Sequence, residues 1–450
     1  MKTKNKTLAL LEIAVVLCSV FLVATSPRIA AEQSQTTQKV SASRVTTASE
    51  DDYVLDIYGN ANEDDTIDMR DLTYVKLIFF GKKPETELAD AKYDGEINPL
   101  DFVQIKLIIV GKEKELTVVD TIGRNVTIDK PLERIIVLNR NTVEMMRSLN
   151  LEKERIVSVS TDVLKKEIFF PEFKDCPSVG SARSPDIEKI LELKPDAVFI
   201  YATTMTPTWV QEKLEDAGIT VVRFDCFKPE TYVEEADKLG YIFGKTDEVD
   251  NFIEFYERCL NSIKEKVEEI PEDEKTKVYI ERFRKPYSTS GKGVALHQII
   301  KLAGGNNIFS DLSGHINVDP EEVIIRNPII IVKQAYTRTE YGYNVDDTKG
   351  LKDVRDEIMG RPELENVSAV KNKKVYVVIK EITGGKHFIA IGYMAKWFYP
   401  RSFRGFRPTS NPSRIPDEIP GIELRLGQAR CVCISRTELI KNLGGDKKKK

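Results

Sequence analysis

Ser184-Pro-Asp-Ile-Glu-Lys-Ile-Leu-Glu-Leu-Lys-Pro-Asp-Ala-Val-Phe-Ile-Tyr201 changes character midway, and the change decides the fold class. Pro185 to Leu193 reads as a helix, and Ala197-Val-Phe-Ile-Tyr201 reads as a buried strand. The same alternation continues on both sides. Arg134–Leu138, Arg155–Val159 and Thr220–Phe224 are strand-like, while Thr142–Leu149 and Thr208–Ala217 are helical. Short β-rich runs alternating with helices argue for an α/β lobe with a mainly parallel sheet. A second series follows, with strands at Val278–Ile280, Val323–Ile325, Ile329–Val332 and Val375–Ile379 and a helix at Val294–Ala303. Between the series, Val249, Phe252, Ile253, Tyr256, Leu260, Ile263 and Val267 share one face of a helical stretch, Asp247 to Ile270. At 1.5 Å per residue it spans about 36 Å, enough to cross between lobes and to limit hinge closure. The expected α/β architecture is two Rossmann-like lobes, residues 118–245 and 272–400, joined by a long backbone helix over 246–271.

Composition narrows the function classes. The 450 residues are 41% hydrophobic and 31% charged, which excludes a disordered, collagen-like or polytopic membrane chain. Lys+Arg 67 against Asp+Glu 71 leaves −4, with no global pull toward nucleic acid. Three histidines (His297, His315, His387) are too few for a His-rich metal centre, and the six cysteines show no framework spacing. No G-x-S-x-G elbow, H-E-x-x-H, P-loop or G-x-G-x-x-G is present, so no enzyme is expected.

The N-terminus points outside the cytoplasm. Lys2, Lys4 and Lys6 precede an apolar run from Leu8 to Ala24, which reads as a secretory signal or an N-terminal membrane anchor over 1–31. Cys18 follows Leu17 rather than a small residue, a poor fit to a lipoprotein site. Residues 32–52 are a Ser/Thr/Gln-rich linker. Then Asn60, Asn62, Asp64, Thr66 (through its carbonyl), Asp68 and Asp71 occupy positions 1, 3, 5, 7, 9 and 12 of a calcium-type loop. Thirty residues on, Asp90, Asp94, Glu96, Asn98 and Asp101 repeat the spacing, with Gly95 at the turn. Leu72-Thr-Tyr-Val-Lys-Leu-Ile and Phe102-Val-Gln-Ile-Lys-Leu-Ile follow the two loops. This duplicated loop and helix, ending each loop on Asp rather than Glu, resembles a small all-α dockerin-like module over 53–113. The resemblance implies bound Ca2+ and a cohesin-like partner. Asp65 stands where the first loop prefers Gly, and Lys92 replaces an oxygen ligand in the second, so the first loop is the stronger calcium site.

A second resemblance covers 118 to about 400. Asp120-Thr-Ile-Gly-Arg-Asn-Val-Thr-Ile, Leu132-Glu-Arg-Ile-Ile-Val and the Ser184–Val198 block resemble the helical-backbone substrate-binding proteins of ABC importers, the group that carries ferric-siderophore complexes and cobalamin. So do His297-Gln-Ile-Ile-Lys-Leu-Ala-Gly-Gly-Asn-Asn-Ile-Phe309, Val318-Asp-Pro-Glu-Glu-Val323 and Asn327-Pro328. The resemblance implies an extracytoplasmic receptor that holds a small-molecule metal chelate or a corrinoid between its lobes. It also implies an ABC permease as partner, met by Glu188 on one lobe and Glu321 on the other, with Glu322 the competing assignment. A carboxylate facing arginine makes an oriented, charge-assisted contact; the plain alternative is a glutamate favoured at a helix start. Loops after strands nominate Asn139, Arg140, Tyr201, Thr203, Arg282, Tyr287 and His387 as ligand-binding residues, since arginine and tyrosine suit an anionic or catecholate-rich chelate. Each alone is as readily a packing residue.

Three other readings compete. A bare transition metal or an oxyanion could be the cargo, and a dockerin-borne adaptor could lack ligand altogether. The tail, 401–450, is rich in Arg and Pro and loses periodicity, where similar proteins end on an acidic, aromatic segment. A one-nucleotide frame slip near codon 400 accounts for it; the rival is a natural basic tail ending in Lys447–Lys450.

Overall fold

The structure, a computed structural model of the chain, describes residues 53–167, 169–336 and 348–404. The expected signal segment and linker, and the tail beyond Arg404, lie outside the described residues. The chain divides into two units, one reaching Val119 and including Gly123–Pro131, the other comprising Asp120–Ile122 and the chain from Leu132 on.

In the first unit the duplicated text gives duplicated structure. Helix α1 (Met69–Phe79) and helix α2 (Pro99–Ile109) each begin with a capping box. Asp68 and Asp71 cap the first, Asn98 and Asp101 the second, each pair satisfying end N–H groups reciprocally. Loop positions 9 and 12 are therefore helix-capping positions as well, and capping by itself accounts for part of the calcium-type spacing. Val75, Ile78, Ile105 and Ile108 are buried between the repeats. Strands β1 (Glu115–Val119) and β2 (Asn125–Asp129) form an antiparallel hairpin, Glu115 opposite Asp129. This corrects the expected start of the N-terminal lobe at 118. Val118 bridges to Ile57, and Gln104 Nε2 donates to the Glu115 carbonyl at 2.7 Å, so the hairpin packs with the repeat.

The second unit holds two parallel sheets. The first contains β3 (Ile135–Val137), β4 (Ile156–Val159), β7 (Ala197–Ile200) and β8 (Thr220–Arg223), ordered β4-β3-β7-β8, with β5 (Gly180–Ser181) and β6 (Ser184–Pro185) pairing apart. Its helices are α3 (Arg140–Ser148), α4 (Thr161–Leu164), α5 (Ile187–Leu193), α6 (Thr208–Glu215) and α7 (Tyr232–Phe243). Every residue of β7 is buried, as helices on both faces of a parallel sheet require. Helix α8 (Thr246–Glu268), 23 residues, then buries Val249, Ile253, Tyr256, Ile263 and Val267, five of the seven positions read from its periodicity.

The second sheet orders β11 (Gly305–Asn307), β9 (Thr276–Glu281), β13 (Ile330–Ala335) and β14 (Val375–Ile379) in parallel, while β10 (Ser288–Ser290) pairs antiparallel with β12 (His315–Asn317). Around them lie α9 (Ala295–Leu302), α10 (Pro320–Arg326), α11 (Lys349–Met359), α12 (Ser368–Lys371) and α13 (His387–Phe398). Val323-Ile-Ile325 corrects the reading as a strand, since these residues are helical within α10. Asp319 caps that helix, Pro320 opens it and Asn327 closes it at φ 44°, so end signals override the apolar run.

Two buried clusters order this unit. At the end of β9, Glu281 is fully buried and takes Arg361 Nη1 at 2.6 Å, Arg361 Nη2 at 2.9 Å and Lys333 Nζ at 2.7 Å. Burial alone raises the Glu281 carboxyl, but the Arg361 hydrogen bonds and the two cationic charges outweigh it and hold the group below its ordinary value. Where α13 meets α8, Tyr256 donates its hydroxyl to His387 Nε2 at 2.7 Å, while His387 Nδ1 donates to the Gly384 carbonyl at 3.1 Å. Tyr232 donates to the Gly385 carbonyl and meets the His387 ring edge-on at 4.6 Å. Burial pushes His387 down to about 4, against the raising influence of the Gly384 and Phe227 backbone.

Both clusters have measurable consequences. Arg361→Ala leaves Glu281 with one counter-charge and is expected to cost about 3–5 kcal/mol, read by urea unfolding. Because the Glu281 carboxyl is depressed, its contribution is present above the unfolded value of 4.5 and lost as pH falls through the lower folded value. His387 is neutral when folded, so between pH 6.5 and about 4 the unfolded chain binds the extra proton and stability falls with pH, by about 3 kcal/mol in full. His387→Asn should flatten that acid limb of a Tm-against-pH curve; an unchanged limb would place the titration elsewhere.

Candidate ligand cleft

The C-terminal ends of the parallel strands in both lobes converge on one cleft, the usual place for a site in open α/β sheets. Arg140 opens α3 directly after β3, and Lys166, Phe169 and Phe170 follow α4. From the other lobe come Lys380 and Glu381 after β14, and then Lys386. Arg140, Asn141, Glu144, Lys166, Phe169, Phe170, Glu381 and Lys386 line a shallow, solvent-open depression with about 20 Å³ of enclosed space. Two ion pairs cross between lobes, Lys166 Nζ to Glu381 Oε1 at 2.6 Å and Lys386 to Glu144.

Beside the cleft, reached by Lys166, lies an aromatic and cationic cluster at the ends of β9, β13 and β14. Phe283, two residues beyond β9, and Tyr336, one beyond β13, lie with ring centroids 5.6 Å apart. Lys380 Nζ is 4.7 Å from the Phe283 centroid and 5.5 Å from that of Tyr336. Lys166 reaches the Tyr336 ring at 5.2 Å, and the Arg282 and Arg284 guanidinium groups lie 5.9 and 5.6 Å from Phe283. Burial, then Arg140, pushes Lys380 down to about 8, with Arg284 and Lys166 adding to Arg140 and Glu381 opposing. Burial, then Arg140, likewise lowers Lys386 to about 7. Arg282 is lowered by burial and by Arg284, and His315 by partial burial and then Arg282, Arg284 and Lys380. These cations repel one another across the cleft.

The seven residues nominated from sequence separate. Arg140 and Arg282 belong to this cationic cluster. Asn139 is corrected: it is fully buried, caps α3, and donates Nδ2 to the Phe224 and Asp225 carbonyls at 2.6 and 3.1 Å. Tyr201 is corrected too, a core residue whose hydroxyl is pushed up to about 12 by burial. His387 is corrected by its place against Tyr256, buried away from solvent. Thr203 lies in the turn whose backbone Asp225 receives at 3.2 Å, and Tyr287 donates to Glu363 beneath the Arg361 guanidinium. Asn139, His387 and Tyr287 are thus engaged by other parts of the protein, Asn139 by the chain after β8, His387 by α8 and Tyr287 by Glu363. Sequence reading missed Lys166, Phe169, Phe170, Phe283, Arg284, Tyr336, Lys380 and Lys386. Three of them were within reach of the rule already used, because Phe283 and Arg284 extend the Arg282 loop and Lys380 follows β14 immediately.

The three histidines do not converge. His297 Nδ1 lies 3.1 Å from Asn307 Nδ2, His315 Nδ1 lies 3.2 Å from Ser290 Oγ, and His387 is held by Tyr256. Among the described residues no group of three or more His, Cys, Asp or Glu is arranged to hold a metal ion.

Glu188 and Glu321 share a local design. Each is the second residue of a seven-residue helix, α5 or α10, capped by an aspartate (Asp186, Asp319) and closed by a left-handed residue, Lys194 at φ 45° or Asn327 at φ 44°. Both are exposed, and neither has an ion-pair partner among the described residues. Glu322 instead meets Arg326 at 3.2 Å.

In the first unit, the loop side chains suit a hard cation in their chemistry. Asp71 is fully buried, accepts from Asn62 N at 3.1 Å and Asp68 N at 2.8 Å, and is pushed up to about 7 by burial, with the Asp64 and Asp68 charges adding. Asp101 is raised in the same way, with Asp90 and Asp94 adding. A calcium ion held in the first loop by Asn60, Asn62, Asp64, the Thr66 carbonyl, Asp68 and Asp71 would relieve the effect on Asp71, although these carboxylates are not gathered into a metal-holding group in this structure. Arg70 competes for the same carboxylates, at 3.0 Å from both Asp64 and Asp68.

The chain resembles known binding proteins over the second unit. An uncharacterised ABC transporter substrate-binding lipoprotein of Bacillus subtilis, YvrC, is 26% identical over 296 residues, 64% of this chain and 87% of the relative. The molybdate-binding protein MolA of Haemophilus influenzae is 23% identical over 321 residues, 64% of this chain and 86% of the relative. Among solved structures, the TroA-like periplasmic binding protein FepB of Veillonella parvula has a TM-score of 0.54 at 22% identity, covering 65% of this chain and 92% of that one, a likeness of fold. Among the described residues no helix is long and apolar enough to cross a membrane. The family model described as periplasmic binding protein matches residues 135–381, more than half of the chain and both lobes of the cleft, and the chain belongs to that family of extracytoplasmic binding proteins.

Proposed function

We propose that this protein is the receptor of an ABC importer, carrying an iron chelate of the ferric-siderophore type, or cobalamin, between its lobes and delivering it to a permease. The observation that carries this reading is the cleft itself, built from strand ends of both lobes and bridged by Lys166–Glu381. Delivery is assigned to Glu188 and Glu321, whose matched helices leave both carboxylates free for arginine forks. Glu321 is preferred to Glu322 because Arg326 already engages the latter. An oxyanion is the second reading of the cargo, favoured by Arg140 and Lys380, which meet no carboxylate at ion-pair distance among the described residues. A bare transition metal finds no converging histidines. In a transport assay with the cognate permease, Glu188→Arg with Glu321→Arg should reduce uptake by about tenfold or more while Tm and cargo affinity stay unchanged. Uptake at the wild-type level would remove both residues from the docking surface.

The loop–helix repeat lies outside the stretch matched by the family model. For it we propose the dockerin-like role, calcium binding that presents α1 and α2 to a cohesin-like partner on a neighbouring surface. Support comes from the in-phase repeat and the desolvated Asp71 carboxylate. Ca2+ at 100 times its dissociation constant adds about 2.7 kcal/mol to the stability of whatever binds it. Calorimetry of the chelator-treated chain should therefore show a calcium-dependent rise in one transition that Asp71→Asn abolishes. A melt indifferent to calcium would refute the calcium role.

A further inference from the structure

Two short helices, one on each lobe, hold apolar side chains out in solvent. Matched from their capping aspartates, α5 and α10 align Glu188 with Glu321, Ile190 with Val323, Leu191 with Ile324 and Glu192 with Ile325. Ile190 and Val323 are fully buried and root each helix in its lobe. Leu191 and Ile324 face the other way, 38% and 37% exposed. Each stands three residues after the glutamate, a spacing that sets carboxylate and apolar side chain on one helix face with Cβ atoms about 5–6 Å apart. Single exposed apolar residues need no explanation. Here the same residue class recurs at the same place, equally exposed, on two helices that share their caps.

The next position breaks the match. In α5 it is Glu192, an exposed charge; in α10 it is Ile325, at 75% the most exposed large apolar side chain among the described residues. Ile329, 39% exposed, follows just past the helix, so three exposed isoleucines gather within six residues beside Glu321. They sit on a fixed mount. Arg326 is bound to Asp311 at 2.7 and 2.9 Å and to the Ile308 carbonyl at 2.6 Å, and Asn327 Oδ1 accepts from Ser368 N at 2.8 Å. Helix α5 is braced likewise, by Lys189 Nζ on the Ser178 carbonyl at 2.6 Å and by Arg134 Nη2 on the Leu193 carbonyl at 2.7 Å. Apolar groups already held in place lose little freedom when a partner covers them, so more of their burial appears as affinity.

We propose that Leu191 and Ile324 are the apolar half of a two-part docking contact on each lobe, and that Ile325 and Ile329 make the α10 lobe the tighter anchor on the permease. This rests on the receptor reading and adds to it the character of the partner surface: an arginine beside an apolar patch, not an arginine alone. The carboxylate orients the contact, while covering the isoleucines supplies the larger share of affinity. On the other lobe the same patch meets Glu192, so the two contacts differ in strength even where the two permease halves are identical.

The test is binding of the full chain to the cognate permease in nanodiscs, by surface plasmon resonance. Ile325→Ser should weaken binding about tenfold, and Leu191→Ser or Ile324→Ser several-fold each. Leu302→Ser, which removes an equally exposed leucine from α9, should have no effect. Glu192→Ile should tighten binding, a gain that no loss of folding can imitate. All five positions are exposed, and an unchanged melting curve certifies folding of each variant. Wild-type binding by the three apolar-loss variants, with binding abolished by Glu188→Arg and Glu321→Arg together, overturns the inference and leaves the receptor reading standing. A loss from Leu191→Ser as large as that from Ile325→Ser overturns the unequal anchoring. Isoleucine-dependent binding to vesicles of phosphatidylethanolamine and phosphatidylglycerol, or isoleucine-dependent self-association in sedimentation velocity, assigns the patch to lipid or to a second copy and overturns the inference too. No binding of the wild-type chain to the permease overturns the inference and counts against the receptor reading itself.

Discussion

Tyr256 donates to His387 Nε2, and that ring can accept only while it is neutral. The bond holds the start of α13 against α8, and with it the Gly384–Lys386 segment that Tyr232 grips through the Gly385 carbonyl. Everything the second lobe contributes to the near wall of the cleft follows from this. Glu381 and Lys386 bracket the gripped segment and meet Lys166 and Glu144 across the gap. Burying an imidazole so deeply is costly at low pH, and the chain accepts that cost where two helices and two lobes meet.

The charges in the cleft work against the same clasp. A packed α8–α13 contact and two crossing ion pairs bring the lobes together, whereas Arg140, Arg282, Arg284 and Lys380 resist closer approach. The buried Glu281 cluster sets this balance from behind. Lys333 and Arg361 neutralise the one carboxylate at the end of β9, and Lys333 also holds the Arg282 carbonyl at 2.9 Å. Arg361 also pairs Glu357 at 2.9 Å, so two cations meet two carboxylates and the Arg282–Arg284 loop leaves the sheet on a fixed base.

Much of this architecture was legible in the chain, for physical reasons that differ by element. Alternation of β-rich and helical runs marks a parallel sheet because crossovers are obligatory there, so β3, β7, β9 and β14 stand out. The amphipathic stripe of α8 is equally plain. Helix α13 escaped, because His387-Phe-Ile-Ala-Ile-Gly-Tyr-Met-Ala-Lys-Trp-Phe398 is buried nearly all round and has no polar face to set a period. Helix α10 was misread because its interior is β-branched while its identity resides in Asp319, Pro320 and Asn327. The site was harder. Position after a strand end says that a side chain is near the cleft but not which way it turns, and Asn139, Tyr201 and His387 turn inward to bond their own neighbours. Lysines such as Lys380 and Lys386 look like ordinary surface charge in a chain with 31% charged residues. Only three-dimensional crowding distinguishes them.

Helices α5 and α10 are the same device made twice: equal length, aspartate at the entrance, a left-handed exit, and an unpaired glutamate in second place. Their lobes also share a sheet order, each four-stranded parallel sheet running second, first, third, fourth in chain order. If Glu188 and Glu321 dock as proposed, one arginine-bearing motif presented in two copies suffices to meet both lobes, as an assembly of identical subunits naturally supplies, and the cargo between the lobes is free to vary without altering that address.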